Sequence, residues 1–285
     1  MMGCPDHRLL LEASMRTSRF LLLAMVTSGL ASVGQNGSIW PGAPFSAAAG
    51  PAAAAAPAIS FKKEGACQVP VLNRSMPFKG GATTGEEVTV KLDTARHQYE
   101  IHIDASKTPG RHGMRRKGTL MLDHSDCSYR LSGETAARLE VNKDGILFGG
   151  VDPGVPGQET PALIVAFKNT SQDLVDLSGN WWVFGSRNSS DVAMATQSVI
   201  AYEARIFPDG YFSRCELKSA GGQCKARIGR IFFNGRVFVS QENDGNSGTL
   251  IVGQVPGKRV PILLQQGSDG SGMRFFAQHQ LSSPP

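Results

Sequence analysis

From Phe61 onward, hydrophobic residues recur in short runs that are rich in β-branched and aromatic side chains. These runs are too short for helices, and no segment keeps a 3.6-residue period over three turns. The dipeptides that separate them are typical of tight hairpins: Asp144-Gly145, Asp209-Gly210, Asn234-Gly235, Asp244-Gly245 and Asp269-Gly270. The pattern predicts an all-β protein of antiparallel meanders, arranged as two packed β units.

The more regular unit covers residues 177–285, where eight predicted strands follow one another with short connections. They are Trp181–Gly185, Ile200–Phe207, Tyr211–Glu216, Lys225–Phe233, Arg236–Gln241, Thr249–Val255, Arg259–Gln265 and Met273–His279. Such a meander closes most simply as a small up-and-down barrel, whose interior holds its own side chains or one small ligand. A β-sandwich or an irregular meander is the alternative for this unit.

The N-terminal unit, residues 61–176, contains seven further strand candidates. They are Val88–Leu92, Tyr99–Asp104, Thr119–Asp123, Ser128–Leu131, Ala137–Val141, Ile146–Val151 and Ala162–Phe167. The order of strands and turns after Cys127 is similar to the order after Cys224. An ancient duplication would explain this similarity, and so would chance likeness between two β-rich segments.

Three predicted strands are apolar on both faces: Trp181–Phe184, Ile231–Phe233 and Phe275–Phe276. Side chains alternate across a strand, so a sheet with one face in water does not show this pattern. We expect the outside of the C-terminal unit to pack against the N-terminal unit; contact with a partner is the alternative.

The first 31 residues have the pattern of a secretory signal peptide. Arg16 and Arg19 precede the apolar run Phe20–Val26, and small residues follow up to Ala31. A membrane span needs about 18 apolar residues, so we predict cleavage after Ala31, with an uncleaved membrane anchor as the alternative. Residues 32–60 carry no charge and are rich in Ala, Pro and Gly, which indicates a flexible linker. The predicted location is the periplasm, the outer envelope or the exterior.

Composition and net charge exclude only a few classes of protein. Of the 285 residues, 41% are hydrophobic and 19% are charged, which excludes a disordered chain. The net charge is a mild +5. No segment shows a basic stripe with aromatic residues between the charges, so we predict no nucleic-acid partner. The densest basic cluster, Arg111, His112 and residues 115–117, is predicted to lie in a loop.

The cysteines are consistent with export. If Cys4 leaves with the signal peptide, an even set of four remains, which suits two disulfides in an exported chain. The four are Cys67, Cys127, Cys215 and Cys224. A short glycine-containing segment separates the last two, which favours a bond between them and leaves the first two as the other pair. Buried free thiols are the alternative, and no Cys/His spacing indicates zinc.

Candidate chemistry is sparse. Glu100, His102 and Asp104 share one face of a predicted strand, with successive side chains roughly 7 Å apart. Such a row could bind a metal or orient a base, but the ligands of one metal must come within about 2 Å of it. We therefore interpret the row as a solvated face. Residues 123–126 would add ligands only from a neighbouring strand. We predict no catalytic residue, metal or cofactor, and enzyme activity stays uncertain.

The segment Leu177–Trp181, with Gly179 and Trp181 at its centre, resembles the opening strand of the calycin superfamily of lipocalins and avidins. In those barrels a Gly-x-Trp motif opens the first strand, and the Trp packs at the barrel floor. The resemblance covers residues 177–280 and implies that Arg274, from the last strand, covers the indole. The whole chain also resembles uncharacterised exported proteobacterial proteins of the lipoprotein type, although it lacks the Cys that lipidation needs after the apolar run.

Two functions follow from these patterns. The first is an exported cell-envelope β protein that binds a partner or serves a structural role without catalysis. The second is a calycin-like barrel that holds a small apolar ligand. A filled interior of the C-terminal barrel would favour the first, and an open apolar cavity would favour the second.

Overall fold

The computed structural model describes residues 59–132, 137–151, 162–188, 197–215, 224–267 and 270–278. Within these ranges the chain forms nineteen β-strands and one short 3-10 helix. The prediction of an all-β protein is therefore confirmed. The predicted signal peptide and almost all of the predicted linker lie outside the described residues.

Eight strands form a first closed barrel, which a hairpin of β1 (Phe61–Glu64) and β2 (Cys67–Pro70) precedes. The barrel strands are β3 (Pro77–Ala82), β4 (Glu87–Asp93), β5 (Gln98–Ala105), β6 (Arg115–Asp123), β7 (Ser128–Leu131), β8 (Arg138–Val141), β9 (Ile146–Val151) and β10 (Ala162–Phe167). Each strand pairs antiparallel with the next, and the first pairs with the last, which closes the sheet. The sequence predicted strands here but not a barrel.

Strand β3 closes this barrel, although its sequence does not indicate a strand. Gly80 and Gly81 lie inside the strand, where glycine normally weakens β structure. The structure explains both residues by close approach. A Cβ at Gly80 would lie 2.0 Å from the carbonyl oxygen of Val165 on β10. A Cβ at Gly81 would lie 2.1 Å from a methyl group of Leu264 in the second barrel. A side chain at either position would collide with β10 or with Leu264, so both positions need glycine.

A second closed barrel follows, joined to the first by β11 (Thr170–Ser171) and the 3-10 helix Leu174–Leu177. Its strands are β12 (Gly179–Asn188), β13 (Gln197–Ile206), β14 (Tyr211–Cys215), β15 (Cys224–Phe233), β16 (Phe238–Glu242), β17 (Ser247–Val255), β18 (Lys258–Gly267) and β19 (Gly270–Gln278). Consecutive strands pair, and β12 pairs with β19, so the predicted eight-stranded meander and its closure are confirmed. Both barrels thus share one topology, as a duplication would leave them.

Trp181 packs at one end of the second barrel, as predicted. Its side chain is 1% exposed, and its indole Nε1 donates a hydrogen bond of 2.7 Å to the carbonyl of Leu177. Phe276 from the closing strand meets the indole edge-on, with ring centroids 6.2 Å apart. Gly179 enters the strand at φ +132°, a conformation that L side chains rarely adopt. This end, the Trp181 end, is where the 3-10 helix contributes buried Leu177.

Arg274 does not cover the indole, and that expectation is corrected. The register pairs Arg274 with Gly185, whereas Trp181 pairs with Gln278 four residues further along β19. Four residues of strand span about 13 Å. Arg274 lies inside the barrel toward the opposite end, where its guanidinium sits 5.6 Å from the ring centroid of Tyr202. A one-strand motif predicted the tryptophan, but the cross-strand register decides the arginine's neighbour.

Four of the five predicted turn glycines have positive φ, as tight hairpins require: Gly145 (+80°), Gly210 (+84°), Gly235 (+91°) and Gly245 (+90°). The fifth turn begins at Asp269, outside the described residues. The basic cluster lies only partly in a loop: Arg111 and His112 are in the turn before β6, with Arg111 buried against Glu86, whereas residues 115–117 begin the strand.

The two barrels pack against each other through an apolar layer. Phe167 of β10 and Leu264 of β18 are both buried there, and Phe275 packs against the same layer. A Cβ at Gly253 would lie 2.2 Å from the ring of Phe167, which shows how closely the sheets approach. The predicted interface therefore explains Phe275. It does not explain Trp182 or Phe232, which are 38% and 39% exposed on the outside of the second barrel.

One predicted disulfide is present. Cys67 of β2 and Cys127, in the turn between β6 and β7, are bonded across a sequence separation of 60 residues. The bond fixes the N-terminal hairpin to the first barrel. Cys215 is also disulfide-bonded, and Cys224 is its Cα partner in the β14–β15 register. The side chain of Cys224 lies outside the described residues, so the Cys215–Cys224 bond stays a prediction.

Candidate functional site

Buried apolar side chains form a core inside each barrel. In the first barrel Phe78, Leu92 and Leu139 are among those that are fully buried. In the second, Trp181 and Phe238 occupy one end, together with smaller apolar residues. Apolar cores inside both barrels favour function on their outer surfaces. The candidate sites are therefore clusters of charged and aromatic groups.

The predicted row on β5 is a network of ion pairs. His102 Nδ1 lies 2.6 Å from Asp104 Oδ1, and Thr89 donates a hydrogen bond of 2.6 Å to the other carboxylate oxygen. Glu100 faces Lys117 at 3.6 Å and Arg115 at 3.9 Å. Each carboxylate already has a cation or a hydroxyl donor, and the row lies on the outer face of the barrel. The side chains of Glu100 and Asp104 are only 12% and 18% exposed, so the row is a partly buried ion-pair network and not a fully solvated face.

Residues 123–126 do not join that row. The register places Lys117, not Asp123, opposite Glu100, and Asp123 lies beside Arg130 at the far end of β6. Asp126 forms an ion pair with Arg138. Among the described residues, no group of three or more His, Cys, Asp and Glu side chains could hold a metal ion.

Arg274 forms a polar cluster inside the second barrel. The residue is 6% exposed, and its Nη1 donates a hydrogen bond of 3.0 Å to the Tyr202 hydroxyl. Its Nη2 donates to the side-chain carbonyl of Gln265. A second guanidinium, Arg214, lies 4.2 Å from the Tyr202 ring centroid. Both hydrogen-bond acceptors of Arg274 are neutral, so this cluster holds the arginine by hydrogen bonds and ring contact.

A cluster of arginine and aromatic side chains lies on the outside of β13, β14 and β15. Five side chains form it: Arg205, Phe207, Tyr211, Arg227 and Arg230. Arg205 and Arg227 lie 5.1 and 5.4 Å from the Phe207 ring centroid. Arg227 and Arg230 lie 4.8 and 5.6 Å from the Tyr211 ring centroid. Guanidinium groups and rings thus alternate across three strands, and we name this set the arginine–aromatic ladder.

Local backbone features build the ladder. The Asp209-Gly210 turn returns the chain so that Phe207 and Tyr211 stand near each other at the hairpin end. The register places Arg230 directly opposite Tyr211. The β14–β15 pairing shifts register after Phe212, and Arg227 lies in that irregular stretch with φ +21°. Such bulges re-aim side chains, and here Arg227 contacts both rings.

The ladder carries an excess of positive charge. Arg227 forms an ion pair with Asp209 at 3.4 Å, and both side chains are at least half exposed. Within the described part of the chain, no carboxylate pairs with Arg205 or Arg230. Three guanidiniums therefore face one carboxylate. A cation over a ring is stabilised by about 0.5–1 kcal/mol at an exposed site, so the rings hold the cations in place.

The ladder does not show as a basic stripe in the sequence, because its residues are not contiguous. Its members come from three strands, and the hairpin turn and the register shift bring them together. The sequence signals are short: Arg205 and Phe207 are two residues apart and so share one strand face, and Arg227 and Arg230 both belong to β15.

A narrow cleft of about 20 Å³ lies between the barrels, with room for a water molecule. Glu87 lines it, with its side chain 7% exposed, and accepts a hydrogen bond of 2.9 Å from Arg236 across the interface. Burial raises the pKa of Glu87, and Asp104 adds to this, while Arg236 and Lys79 oppose it. The net direction is upward from the ordinary value of 4.5.

The free energy of unfolding of the Glu87→Gln variant is expected to fall less between pH 4.5 and pH 7 than that of wild type. A carboxyl whose folded-state pKa is raised holds its proton more tightly in the folded chain, so stability falls as pH rises from 4.5 through that raised value. Glutamine keeps an acceptor for Arg236 but does not ionise. Urea unfolding of both proteins at pH 4.5 and pH 7 measures the difference. A variant that loses more stability than wild type over this interval would contradict the expectation.

No family model matches the chain, and no curated protein matches it either. Within the described ranges, the structure contains no helix of the length and apolar character that crossing a bilayer requires.

Proposed function

We propose that the protein is exported to the cell envelope and acts there without catalysis, as a binding or structural protein. In this proposal the active surface is the outer wall of the C-terminal barrel, centred on the arginine–aromatic ladder. The single observation that carries the proposal is the contrast between the apolar cores inside the barrels and an exposed cluster of three guanidiniums that faces one carboxylate.

The N-terminal sequence supports the export part. Arg16 and Arg19, the apolar run Phe20–Val26 and the small residues up to Ala31 fit a secretory leader. The Cys67–Cys127 disulfide agrees with an oxidising compartment, where such bonds form and persist. The uncharged stretch 32–60 would then separate the folded barrels from the cleaved or anchored leader.

The calycin-like alternative receives less support. The eight-stranded topology of the second barrel and the buried Trp181 fit that resemblance. A bound apolar molecule would need several hundred Å³ of open interior. Trp181, Phe238 and Phe276 occupy that space at one end, and Arg274 brings a charge into the other. An apolar ligand is therefore the second choice.

Cell fractionation with mass analysis tests the proposal. We expect the full-length chain, expressed in a bacterium, to be recovered from the envelope or periplasm with its N-terminus at Ser32. Peptide mapping without reductant is expected to show Cys67 linked to Cys127 and Cys215 linked to Cys224. A matched control, Arg16→Glu with Arg19→Glu, removes the positive charge before the apolar run and should leave the chain in the cytosol. An intact N-terminus on cytosolic wild-type protein would overturn the proposal.

A further inference from the structure

We propose that the arginine–aromatic ladder docks the C-terminal barrel onto an anionic lipid surface, with its guanidiniums on headgroup phosphates. This inference rests on the proposed function and names the partner of the surface that it identified. The contact would be peripheral, made by the folded barrel and independent of the N-terminal leader.

The ladder presents the groups that phosphates bind. A guanidinium offers five N–H donors in a planar fork, and it binds phosphate oxygens in pairs. Arg205 and Arg230 have no carboxylate among the described residues to occupy those donors. Contacts with Phe207 and Tyr211 restrict the guanidiniums before any ligand arrives, so less side-chain entropy is lost on binding.

Exposed aromatic rings lie beside the charged groups of the ladder. These rings favour a lipid surface as the partner over a polymer that offers only negative charge. Tyr211 is 36% exposed within the ladder. Phe232, 39% exposed, lies two residues beyond Arg230 on β15, so both side chains face outward. Aromatic rings are favoured at the boundary between headgroups and acyl chains. A protein surface with a basic cluster beside such rings matches the chemistry of an anionic bilayer.

Nucleic acid fits this surface less well. Proteins that bind single strands leave aromatic faces free for the bases to stack on. Each ladder ring already has two guanidiniums near its face: Arg205 and Arg227 for Phe207, and Arg227 and Arg230 for Tyr211. The ladder therefore offers donors and charge rather than stacking platforms.

Vesicle co-sedimentation of the purified full chain tests the inference. The probes are vesicles of phosphatidylcholine with 30% phosphatidylglycerol and vesicles of phosphatidylcholine alone. We expect binding to the first only, weakening as salt rises. The triple variant Arg205→Gln, Arg227→Gln, Arg230→Gln should bind on the order of 100-fold more weakly, because each basic residue near an anionic surface contributes about a factor of five.

A matched control separates the ladder from net charge. Lys63→Gln, Lys117→Gln and Lys143→Gln remove the same charge from exposed positions of the N-terminal half, and this triple variant should bind nearly as wild type. Equal weakening by both triple variants would overturn the inference, since net charge alone would then account for binding. Thermal melts of all variants show that each is folded.

A second variant distinguishes binding to a lipid surface from binding to any anionic polymer. Phe232→Ala should weaken vesicle binding several-fold while leaving retention on a heparin column unchanged. If Phe232→Ala binds vesicles as wild type and heparin or single-stranded DNA competes fully, the surface is a general polyanion site and the lipid assignment is wrong. Correct export with unchanged vesicle binding by the ladder triple variant would overturn this inference alone. Cytosolic protein with an intact leader would overturn the proposed function instead.

Discussion

Arg111→Met is expected to lower the free energy of unfolding by about 3–5 kcal/mol at pH 7, because it leaves a buried carboxylate without its cation. The carboxylate is that of Glu86, whose side chain is 2% exposed, while that of Arg111 is 10% exposed. Arg111 Nη2 donates to Glu86 Oε2 at 2.7 Å, and Arg111 Nε donates to the other oxygen. Ser106 and Thr84 each donate a further bond of 2.9 Å.

The loss should depend on pH in a defined direction. Burial raises the pKa of Glu86, but the hydrogen bonds from Arg111, Ser106 and Thr84 outweigh it and hold the pKa below the ordinary 4.5. In wild type this carboxylate adds stability above pH 4.5, and that stability is lost as pH falls through the lowered folded value. Without Arg111 the pKa should rise, so the variant loses stability as pH increases. The difference between the two proteins is therefore largest at neutral pH and shrinks below pH 4.5.

Urea unfolding at pH 4 and pH 7 measures both effects. The double variant Arg111→Met with Glu86→Gln is the control, since a neutral amide accepts a bond from one of the Ser106 and Thr84 hydroxyls, donates one to the other, and leaves no buried charge. It should regain most of the lost stability at pH 7. A loss below about 1 kcal/mol that does not change with pH would show that water reaches Glu86 and that the pair is not structural.

Trp181→Ala is expected to destabilise the C-terminal barrel by about 3–5 kcal/mol, the usual cost of removing a large ring from a core. Trp181 is 1% exposed and contacts Phe276 edge-on. Its removal also leaves the Leu177 carbonyl without the indole N–H that donates to it at 2.7 Å. The 3-10 helix that ends at Leu177 should therefore loosen together with the barrel end.

Two further variants make the measurement decisive. Trp182→Ala changes the adjacent residue, which is 38% exposed on the outer face of the same strand, and should cost much less. Trp181→Phe keeps an aromatic ring and should lose less than the alanine variant, which preserves the test if Trp181→Ala does not fold. Equal losses for Trp181→Ala and Trp182→Ala in urea unfolding would contradict the buried position of Trp181.

The local pattern of the chain was enough to predict the strands of the second barrel. Alternation, β-branched runs and Asp-Gly or Asn-Gly turns are short-range signals, and each strand there pairs with its sequence neighbour. Gly179 and Trp181 were predicted from the resemblance to calycin barrels, whose Gly-x-Trp motif lies within one short segment at the start of β12. Their roles depend on the backbone at Gly179 and on the size of the indole.

Contacts between distant segments were decided by the tertiary structure. Strand β3 was not among the predicted strands, because glycines such as Gly80 and Gly81 weaken a strand, yet these glycines admit the close approach of β10 and of Leu264. Arg111 looked like part of a basic loop, but its partner Glu86 lies 25 residues away. Arg274 was expected on Trp181 and contacts Tyr202 instead, because the β12–β19 register sets its neighbour.

The candidate site itself belongs to that second group. Arg205, Tyr211 and Arg230 come from three strands, and none of those strands alone shows a basic stripe. The Asp209-Gly210 turn and the register shift in β14–β15 bring these side chains together. Local sequence thus determined strands, turns and the buried tryptophan, because those depend on neighbours along the chain. Register and barrel closure decided the ladder, because they determine which side chains from different strands come into contact.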